Sequence, residues 1–398
     1  MKNFLQQYSE EVSAELHRIL NYWMKYTIDK TDGGFYGSVN NNNQPKPGAE
    51  KGIVLHGRIL WTFSTAYSRE AKKEYLEMAQ RAYDYIMAYF KDNEHGGVYW
   101  SVDAKGNMLD SRKQIYGVAF CLYGMSAYYA ASKNEAALNF AKDLFSLIEK
   151  YSYDSVKKGY MEVFTRDWKD IDNASSIAKN AKQKKTMNTH LHLIEAYASL
   201  YKVWPDETLK QRIAGLLEVF DLYFIDHNKY FNRLFFDENW KEQPDVISYG
   251  HDIESAWLLL QCAQVINDAH WIDVFKDYAV KIADAVHVGI GSDGSIWYEY
   301  NPATGKINKQ RDWWPQAEGM VGYINAYQLT CDEKYLHQSL KTWSFVKEKI
   351  LDLQNGEWFW GRKEDNSLVN ADKAGFWKCP YHNSRACMEV MDRSSFCR

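Results

Sequence analysis

The sequence lacks the features that mark disulfide-rich, membrane-spanning and nucleic-acid-binding proteins. Its six cysteines are scattered, with no CxxC motif and no framework spacing, which favours reduced thiols in a cytoplasmic protein. The 48 basic and 52 acidic residues nearly cancel, so no strong field attracts nucleic acid or an anionic membrane. No apolar run is long enough to span a bilayer, and the N-terminal segment has no apolar signal-peptide core. We therefore expect a cytoplasmic protein that binds neither nucleic acid nor membrane.

Linker segments are also missing. The chain has only seven prolines in 398 residues and no stretch rich in serine, glycine and proline, so we expect one domain over residues 1–398. The one local basic run, residues 179–185, is interpreted as a solvated loop. It lies in a polar stretch, residues 165–187, that is longer than the equivalent segments of the other repeats. This stretch could be either a lid over the binding site or a surface loop.

What the sequence does contain is a sixfold repeat. A segment that combines turn residues with aromatic residues recurs about every 60 to 70 residues, starting near Gly33, Gly96, Gly159, Tyr230, Gly294 and Gly356. An amphipathic helical pattern precedes each segment, and a helical pattern richer in small and apolar residues follows it. The repeat predicts an all-α fold, an (α/α)6 barrel of six helical hairpins with short β-hairpins in the connecting turns. Outer helices are predicted at 11–26, 70–90, 135–151, 207–224, 270–286 and 333–349, and inner helices at 53–67, 115–131, 188–203, 251–266, 315–330 and 382–392.

Polar residues concentrate where the predicted inner helices begin. A single histidine at such a place is usually a cap or a satisfied core residue, but polar groups at matching places in most repeats indicate a shared pocket. Because residues i and i+3 or i+4 share a helix face, His251 and Glu254 can point into that pocket together, with Asp252 to one side. The same rule places Asn188 and His192 on one helix face and His190 on another. It places Arg58 and His56 on different faces, and Trp314 and Glu318 on the same face.

Neither a metal centre nor a nucleotide cofactor is expected. His190 and His192 have a spacing that suits ligands on a strand, but their side chains diverge on a helix. The His251-x-x-Glu254 motif is present once, so a four-helix di-iron site lacks its second half, and no HExxH motif is present. The GxGxxG match at residues 289–294 is followed by a strand-like aromatic run rather than a helix, which predicts a turn.

The remaining set of histidines, a glutamate, an arginine and tryptophans suits proton transfer at a carbon next to a carbonyl. An unperturbed histidine titrates near pH 6.5, so it can act as acid or base at neutral pH. Two such groups on opposite faces of a substrate would remove a proton from one side and return it on the other, giving an epimer without a redox cofactor. The aromatic content of 16% fits a helical core packed with rings and also a cleft that stacks on sugar faces.

Four segments in the expected order resemble the cellobiose 2-epimerases, which belong to the N-acylglucosamine 2-epimerase superfamily. They are residues 188–192 (NTHLH), 251–257 (HDIESAW), 313–319 (WWPQAEG) and 377–385 (WKCPYHNSR), and the similarity extends from residues 56–61 to the last helix. The resemblance implies an (α/α)6 barrel and a cofactor-free reaction at C2 of a reducing-end sugar, in a disaccharide linked β-1,4 such as cellobiose, lactose or mannobiose. A monomer is expected.

The resemblance also implies roles for individual residues. His251 and His382 would be the acid and base at C2, His192 would help to open the sugar ring or hold its oxygens, and Glu254 would orient the site. Contacts with the substrate would come from Arg58, Tyr116, Asn188, Trp314, Glu318 and Trp377.

Three other functions remain open at this point. An aldose–ketose isomerase of the same superfamily would form the same enediolate but return the proton to C1. An (α/α)6 glycoside hydrolase would use Glu254 and Glu318 as its two carboxylates and would leave the histidines without a purpose. A binding-only toroid would place aromatic residues in the pocket but would not depend on His251 or His382.

Overall fold

The twelve predicted helices are present in the computed structural model, which describes residues 2–171, 183–244 and 246–396. Three outer helices, the third, seventh and eleventh, continue into one turn of π-helix at Ile86–Phe90, Phe220–Phe224 and Val346–Ile350. The helices are α1 Lys2–Tyr26, α2 Ile53–Glu70, α3 Lys73–Tyr85, α4 Ile115–Ser132, α5 Glu135–Tyr151, α6 Met187–Val203, α7 Glu207–Val219, α8 Tyr249–Val265, α9 Ala269–Val286, α10 Trp313–Thr330, α11 Glu333–Phe345 and α12 Tyr381–Phe396.

The even-numbered helices form a closed inner ring. Each packs against the next even-numbered helix, and α12 packs against α2 to complete the circle and against α1 on the outside. Most residues of α2, α4, α8 and α10 are buried, because these helices meet neighbours on nearly all sides. The odd-numbered helices bury one face only, as their amphipathic sequences predict. The (α/α)6 barrel is confirmed.

Four outer helices begin at a side-chain cap. Asn134, Asp206, Asp268 and Asp332 each accept a backbone N–H from the first turn of the helix that follows. Such a cap satisfies one of the N–H groups that a helix start leaves without an internal partner. The short inner-to-outer connections can therefore reverse the chain within a few residues.

Thirteen short strands lie in the described outer-to-inner connections. They are β1 Ser38–Val39, β2 Lys51–Gly52, β3 Ser101–Val102, β4 Met108–Asp110, β5 Lys113–Gln114, β6 Val163–Phe164, β7 Lys185–Thr186, β8 Phe235–Phe236, β9 Glu299–Asn301, β10 Lys306–Asn308, β11 Arg311–Asp312, β12 Gly361–Arg362 and β13 Ala374–Gly375. The hairpins expected in the turns are present as the antiparallel pairs β3–β4 and β9–β10, and as single bridges such as Ile28 with Phe35.

Most of the remaining strand pairs join neighbouring repeats, which the repeat pattern did not predict. The strand before an inner helix pairs antiparallel with a strand of the next repeat in β2–β3, β5–β6, β7–β8 and β11–β12. Strand β1 pairs with β13 and so links the first connection to the last. Together with the bridge between Ile247 and Tyr300, these ladders hold the six connections in a ring around one end of the barrel.

Buried ion pairs reinforce the same ring. Lys51, Lys113 and Lys185 each lie two residues before an inner helix, and their Nζ atoms are 2.8, 2.8 and 2.9 Å from carboxylate oxygens of Asp29, Asp92 and Asp154. Each aspartate also accepts backbone N–H groups of its own turn. The pairs therefore tie each turn to the start of the inner helix that carries the polar residues.

Lys185 corrects the interpretation of the basic run. The sequence pattern assigned residues 179–185 to a solvated loop, but the Lys185 side chain is fully buried in its pair with Asp154. Of the longer stretch at 165–187, the first part packs on the barrel, with the Trp168 ring stacked on Tyr151 at 5.0 Å. Residues 172–182, on which the lid prediction depends, lie outside the described residues. Among the described helices, none has both the length and the apolar character of a membrane span.

Candidate active site

A cavity of about 280 Å³ lies where the inner helices begin, inside the ring of connections. Nine of the ten site residues predicted from the sequence line it, and Glu318 does not. The lining residues are Arg58, Tyr116, Asn188, His192, His251, Glu254, Tyr298, Asp312, Trp313, Trp314, Trp360, Trp377 and His382. The helices thus bring together residues that are more than 300 positions apart in the sequence.

The polar residues that point away from the cavity bind the connections instead. His190 Nε2 accepts the N–H of Tyr160 at 2.9 Å, and an Asp252 carboxylate oxygen accepts the N–H of Asn232 at 2.6 Å. Gln316 does the same for Ile296 at 2.8 Å. The polar starts of the inner helices therefore serve two purposes, one on each face, and the i, i+3 rule separated them correctly for His190 and Asp252.

Each of the three cavity histidines has its Nδ1 atom engaged. His192 Nδ1 is 3.1 Å from Glu195 Oε2, His251 Nδ1 is 2.8 Å from Ser248 Oγ, and His382 Nδ1 is 2.6 Å from Glu318 Oε1. An ionised carboxylate only accepts hydrogen bonds, so its histidine partner donates from Nδ1. The other ring nitrogen, Nε2, is then the one available to a substrate.

Arg385 lies beneath these histidines and binds three buried carboxylates. Its Nη1 atom is 2.5 Å from Glu195 Oε1, and its Nη2 atom is 2.5 Å from Glu254 Oε1 and 2.7 Å from Glu318 Oε1. The guanidinium also stacks near the rings of Trp257 and Tyr381. We call Arg385, Glu195, Glu254 and Glu318 the arginine layer.

Glu318 belongs to this layer rather than to the cavity wall. Its Oε1 atom receives hydrogen bonds from His382 and Arg385, and its Oε2 atom receives one from Trp257 Nε1 at 3.2 Å. The sequence prediction assigned Glu318 to substrate contact. The structure places it behind His382, where it orients the imidazole.

The surroundings give the carboxyl groups of the arginine layer different pKa values. Burial, together with the neighbouring Glu318, raises the pKa of Glu254 to about 7. Burial alone would also raise the pKa of Glu195, but the charge of Arg385 and the hydrogen bond from His192 hold it at about 2. At neutral pH the arginine layer therefore contains a firmly ionised carboxylate next to His192 and a carboxyl that readily holds a proton.

Burial favours the neutral form of His251 and His382, the two histidines that the sequence predicts to act at C2. Burial lowers the pKa of His251 to about 3, and the nearby His192 adds to the shift. Burial also lowers the pKa of His382 well below its ordinary value, and the positive charges of Arg58 and Arg385 lower it further. Neutral imidazoles are the form that accepts a proton, as a general base must.

Glu254, Glu318 and His382 are close enough to hold a metal ion, with one ligand atom from each within 4.8 Å of the others. Arg385 Nη2 already lies between the two carboxylates and supplies a positive charge. The cluster is therefore explained as an ion-pair network. The expectation that the protein has no catalytic metal stays a prediction.

One wall of the cavity is built around a buried cation. Arg58 Nη2 donates to Tyr116 Oη at 2.7 Å, and Arg58 Nη1 donates to the Trp377 carbonyl oxygen at 3.2 Å. The guanidinium is held flat between Phe120 and Tyr381, with ring centroids 4.1 and 4.8 Å away. A cation and a hydroxyl held in place by aromatic rings are suited to stabilise a developing oxyanion.

Tryptophan rings shape the opposite wall and the mouth. The Trp314 ring contacts both C2 histidines, with centroid distances of 4.7 Å to His251 and 5.8 Å to His382. Trp377 is 47% exposed at the mouth, where its ring is 5.9 Å from Tyr116. Flat apolar surfaces with hydrogen-bonding groups at their edges suit a sugar, which has apolar faces and polar edges.

Sequence reasoning missed several residues of the site. Asp312 lines the cavity, accepts hydrogen bonds from Gln310 and Trp360, and has a pKa that burial raises to about 6. Its sequence signal is weak, because it lies one residue before the start of α10. Glu195 lies three residues after His192, and Arg385 three after His382, so the i, i+3 rule already in use could have found both.

The fold and the cavity define the class of protein, an (α/α)6 barrel with a histidine-lined cavity where its inner helices begin. Sequence comparison agrees. The family model of N-acylglucosamine 2-epimerase (GlcNAc 2-epimerase) matches residues 34–386. The chain belongs to this family, and it is an enzyme of the isomerase class.

Relatives of known structure or activity cover nearly the whole chain. A cellobiose 2-epimerase of Bacteroides fragilis is 44% identical over 384 residues, which are 96% of this chain and 98% of that one. The structure of cellobiose 2-epimerase from Bacillus thermoamylovorans B4167 superposes with a TM-score of 0.90 at 39% identity, covering 99% of this chain and 100% of that one. A D-mannose isomerase structure shares the fold, with a TM-score of 0.85 at 22% identity and coverage of 96% and 97%.

Proposed function

We propose that the protein epimerises the reducing-end sugar of β-1,4-linked disaccharides at C2. Cellobiose would become glucosyl-mannose, and lactose or mannobiose would react in the same way. The observation that carries the proposal is the placement of His251 and His382 against the same Trp314 ring in one cavity, beside the buried cation of Arg58. The similarity to proteins named cellobiose 2-epimerase supports the choice of substrate.

The reaction begins with opening of the pyranose ring. One of the two C2 histidines then removes the C2 proton, which gives a cis-enediolate. Rotation about the C2–C3 bond presents the other face, and the second histidine returns a proton to C2. Arg58, Tyr116 and Asn188 contact O1, O2 and the enediolate, where positive charge and hydrogen-bond donors stabilise the negative charge. Trp314 and Trp377 stack on the sugar rings.

The second histidine needs a proton to return, and the arginine layer can supply one. Three ionised glutamates with Arg385 and Arg58 carry one excess negative charge, which a single added proton neutralises. The raised pKa of Glu254, about 7, supports the binding of such a proton near neutral pH. Glu254 Oε1 is 3.9 Å from His382 Nδ1, and Glu318 Oε1 is 2.6 Å from the same atom. A proton shared by the two carboxyls is in hydrogen-bonding contact with His382 only when it is on Glu318.

Proton NMR with cellobiose in D2O, with EDTA and no added cofactor, tests the proposal. A mannose-type reducing end that carries deuterium at C2 is expected from the wild-type enzyme. His251→Asn and His382→Asn should each slow its formation by about a hundredfold or more, the scale of acid–base loss. His270→Asn, which changes an exposed histidine on α9, is the matched control and should react at the wild-type rate. Near-wild-type turnover in either cavity variant would refute the mechanism.

The same spectra separate the other activities. An aldose–ketose isomerase is the second candidate, because it would use the same enediolate, and it would give fructose-type signals. Free glucose would indicate a hydrolase. The structure disfavours that activity, since Glu318 does not line the cavity and binds the same Arg385 nitrogen as Glu254.

We also propose that residues 1–398 act as one catalytic domain, as a monomer in the cytoplasm. Closure of the inner ring by packing of α12 on α1 and α2 supports a single domain. The cavity is formed within one chain, which supports a monomer. The five described cysteines are free and four of them are buried, as suits a reducing compartment.

A further inference from the structure

The connection that leads into α12 is longer than its counterparts. In the first three repeats, one residue separates the buried lysine of each ion pair from the inner helix that follows. The equivalent lysine of the last repeat is Lys373, whose Nζ atom is 2.5 Å from Asp352 Oδ2. Seven residues, 374–380, separate Lys373 from α12. We call residues 374–380 the inserted segment, and it contributes Trp377 to the cavity.

A second buried ion pair holds the inserted segment. The Lys378 side chain is fully buried, and its Nζ atom is 3.1 Å from Oε1 of the equally buried Glu357. The same Nζ atom donates to the carbonyl oxygen of Lys373 at 2.9 Å, and the Gly375 N–H donates to the carbonyl oxygen of Lys378 at 2.9 Å. The inserted segment is therefore folded back onto its own start and fixed there by a charge.

Glu357 connects this charge to the rest of the barrel. Its Oε2 atom accepts from Trp23 Nε1 at 2.8 Å, and its Oε1 atom accepts from Asn383 Nδ2 at 2.6 Å. Trp23 belongs to α1, and Asn383 directly follows His382 in α12. The group that binds Lys378 is thus fixed to the same helical turn that carries a C2 histidine.

The residue next to Lys378 faces the opposite way. Trp377 is 47% exposed at the mouth of the cavity, whereas Lys378 is completely enclosed. The main-chain carbonyl of Trp377 also accepts a hydrogen bond from Arg58 Nη1 at 3.2 Å. A shift of the inserted segment would therefore move the Trp377 ring relative to the cavity, while Arg58 would keep its contacts with Tyr116 and the neighbouring rings.

We propose that Lys378 is a positioning residue for the substrate. Its pair with Glu357 holds the inserted segment so that the Trp377 ring stacks on the second ring of the disaccharide. The identity of that sugar rests on the proposed function. The anchoring of the segment does not, so the two can be tested separately.

Amide hydrogen exchange measured by mass spectrometry tests the anchor without any substrate. Lys378→Met keeps most of the aliphatic chain and removes the charge. Peptides that cover residues 374–380 should exchange about tenfold faster than in the wild type, and peptides of α4 and α6 should stay within about threefold. Glu357→Gln weakens the pair from its other side with less disturbance, and should speed exchange in the same peptides by about threefold or more.

The matched control is Lys113→Met. It removes a fully buried lysine from a connection that has no inserted segment. Exchange in residues 374–380 should then remain at the wild-type rate. Unchanged exchange of these residues in both Lys378→Met and Glu357→Gln would overturn the anchor, whatever the activity of the enzyme.

Steady-state kinetics with cellobiose tests the positioning role. Lys378→Met should raise KM about tenfold while kcat changes less than about threefold, because the C2 histidines keep their own partners. A general loss of folded enzyme would instead lower kcat and leave KM unchanged. In a Trp377→Ala background, Lys378→Met should raise KM by less than about twofold more, because its effect on KM passes through the missing ring. A further tenfold rise would overturn the positioning role.

The outcomes separate this proposal from the proposed function. Faster exchange in the inserted segment of an enzyme that does not epimerise cellobiose would support the anchor and refute the proposed function. Normal epimerisation with unchanged exchange in both variants would overturn the anchor and leave the proposed function intact. Faster exchange with an unchanged KM would overturn the role of Lys378 in positioning the substrate.

Discussion

Replacement of Arg385 by methionine tests whether the arginine layer supports the barrel as well as the site. The side chain is 3% exposed and is the shared partner of Glu195, Glu254 and Glu318, at 2.5 to 2.7 Å. Removing one partner of a buried ion pair costs about 3–5 kcal/mol, because it leaves a charge without compensation. Protonation of Glu254 and Glu318, whose pKa values burial already raises, relieves part of that cost. We therefore expect a loss of about 4 kcal/mol at pH 7.

The loss should depend on pH in a defined direction. Without Arg385 the pKa of each of the three carboxyls rises in the folded state, while the unfolded chain keeps its ordinary value. The folded variant then binds more protons than the unfolded chain, so its stability falls as pH rises and recovers as pH falls. The deficit relative to the wild type should be larger at pH 8 than at pH 5.

Urea unfolding followed by tryptophan fluorescence at pH 5, 7 and 8 measures both effects. The matched control is Arg69→Met, because Arg69 makes two 2.8 Å hydrogen bonds to Asp392 on the surface. Surface pairs contribute about 0–1 kcal/mol. The reasoning fails if Arg385→Met costs less than about 1 kcal/mol, or if its deficit grows on acidification.

Three further predictions concern the layer, the ring of connections and the mouth. The pKa of Glu254 is raised from 4.5 to about 7 in the folded protein. Its contribution to the stability of the wild type is therefore greatest below pH 4.5 and is lost as the pH rises through 7. Glu254→Gln should flatten that part of a curve of unfolding free energy against pH. Lys113→Met should cost about 2 kcal/mol in urea unfolding, since the buried Asp92 loses one cationic partner but keeps Arg166, whereas Lys46→Met at an exposed pair should cost under about 1 kcal/mol. Equal effects would contradict this. Trp377→Ala should raise the KM for cellobiose about tenfold with a smaller change in kcat, and an equal effect on a monosaccharide substrate would count against stacking on the second ring.

The fold could be predicted because its signal is repeated. One helical hairpin with a glycine–aromatic turn is ambiguous, but six at a constant interval leave few architectures. The pairing between connections was not predictable in the same way. Two-residue strands such as β2 and β3 carry no alternation that could identify a partner, and their pairing follows from the closed ring rather than from local sequence. The buried Lys51, Lys113 and Lys185, each two residues before an inner helix, were a repeated signal that sequence reasoning overlooked.

The candidate site could be predicted to the level of a helix face. The i, i+3 rule placed His251 with Glu254 and turned His190 away from the cavity. It could not show that Glu318 stands behind His382, because that depends on the distance between α10 and α12. The pairing of Glu195 with Arg385 has the same origin, since 190 residues separate them in the sequence. Contacts across the axis of a barrel depend on tertiary packing and have no local signature.

The orientation of the inner helices explains why buried carboxylates accompany the histidines. All six inner helices start at the cavity end, so the positive ends of their dipoles point toward it. That field, with Arg58, favours an anionic enediolate but disfavours an imidazolium, in line with the lowered pKa values of His251 and His382. A two-base reaction nevertheless needs one histidine to carry a proton in turn. Glu195 and Glu318, bound to Nδ1 of His192 and His382, counteract the field where a proton must be held. Arg385 in turn keeps these carboxylates compatible with a folded core.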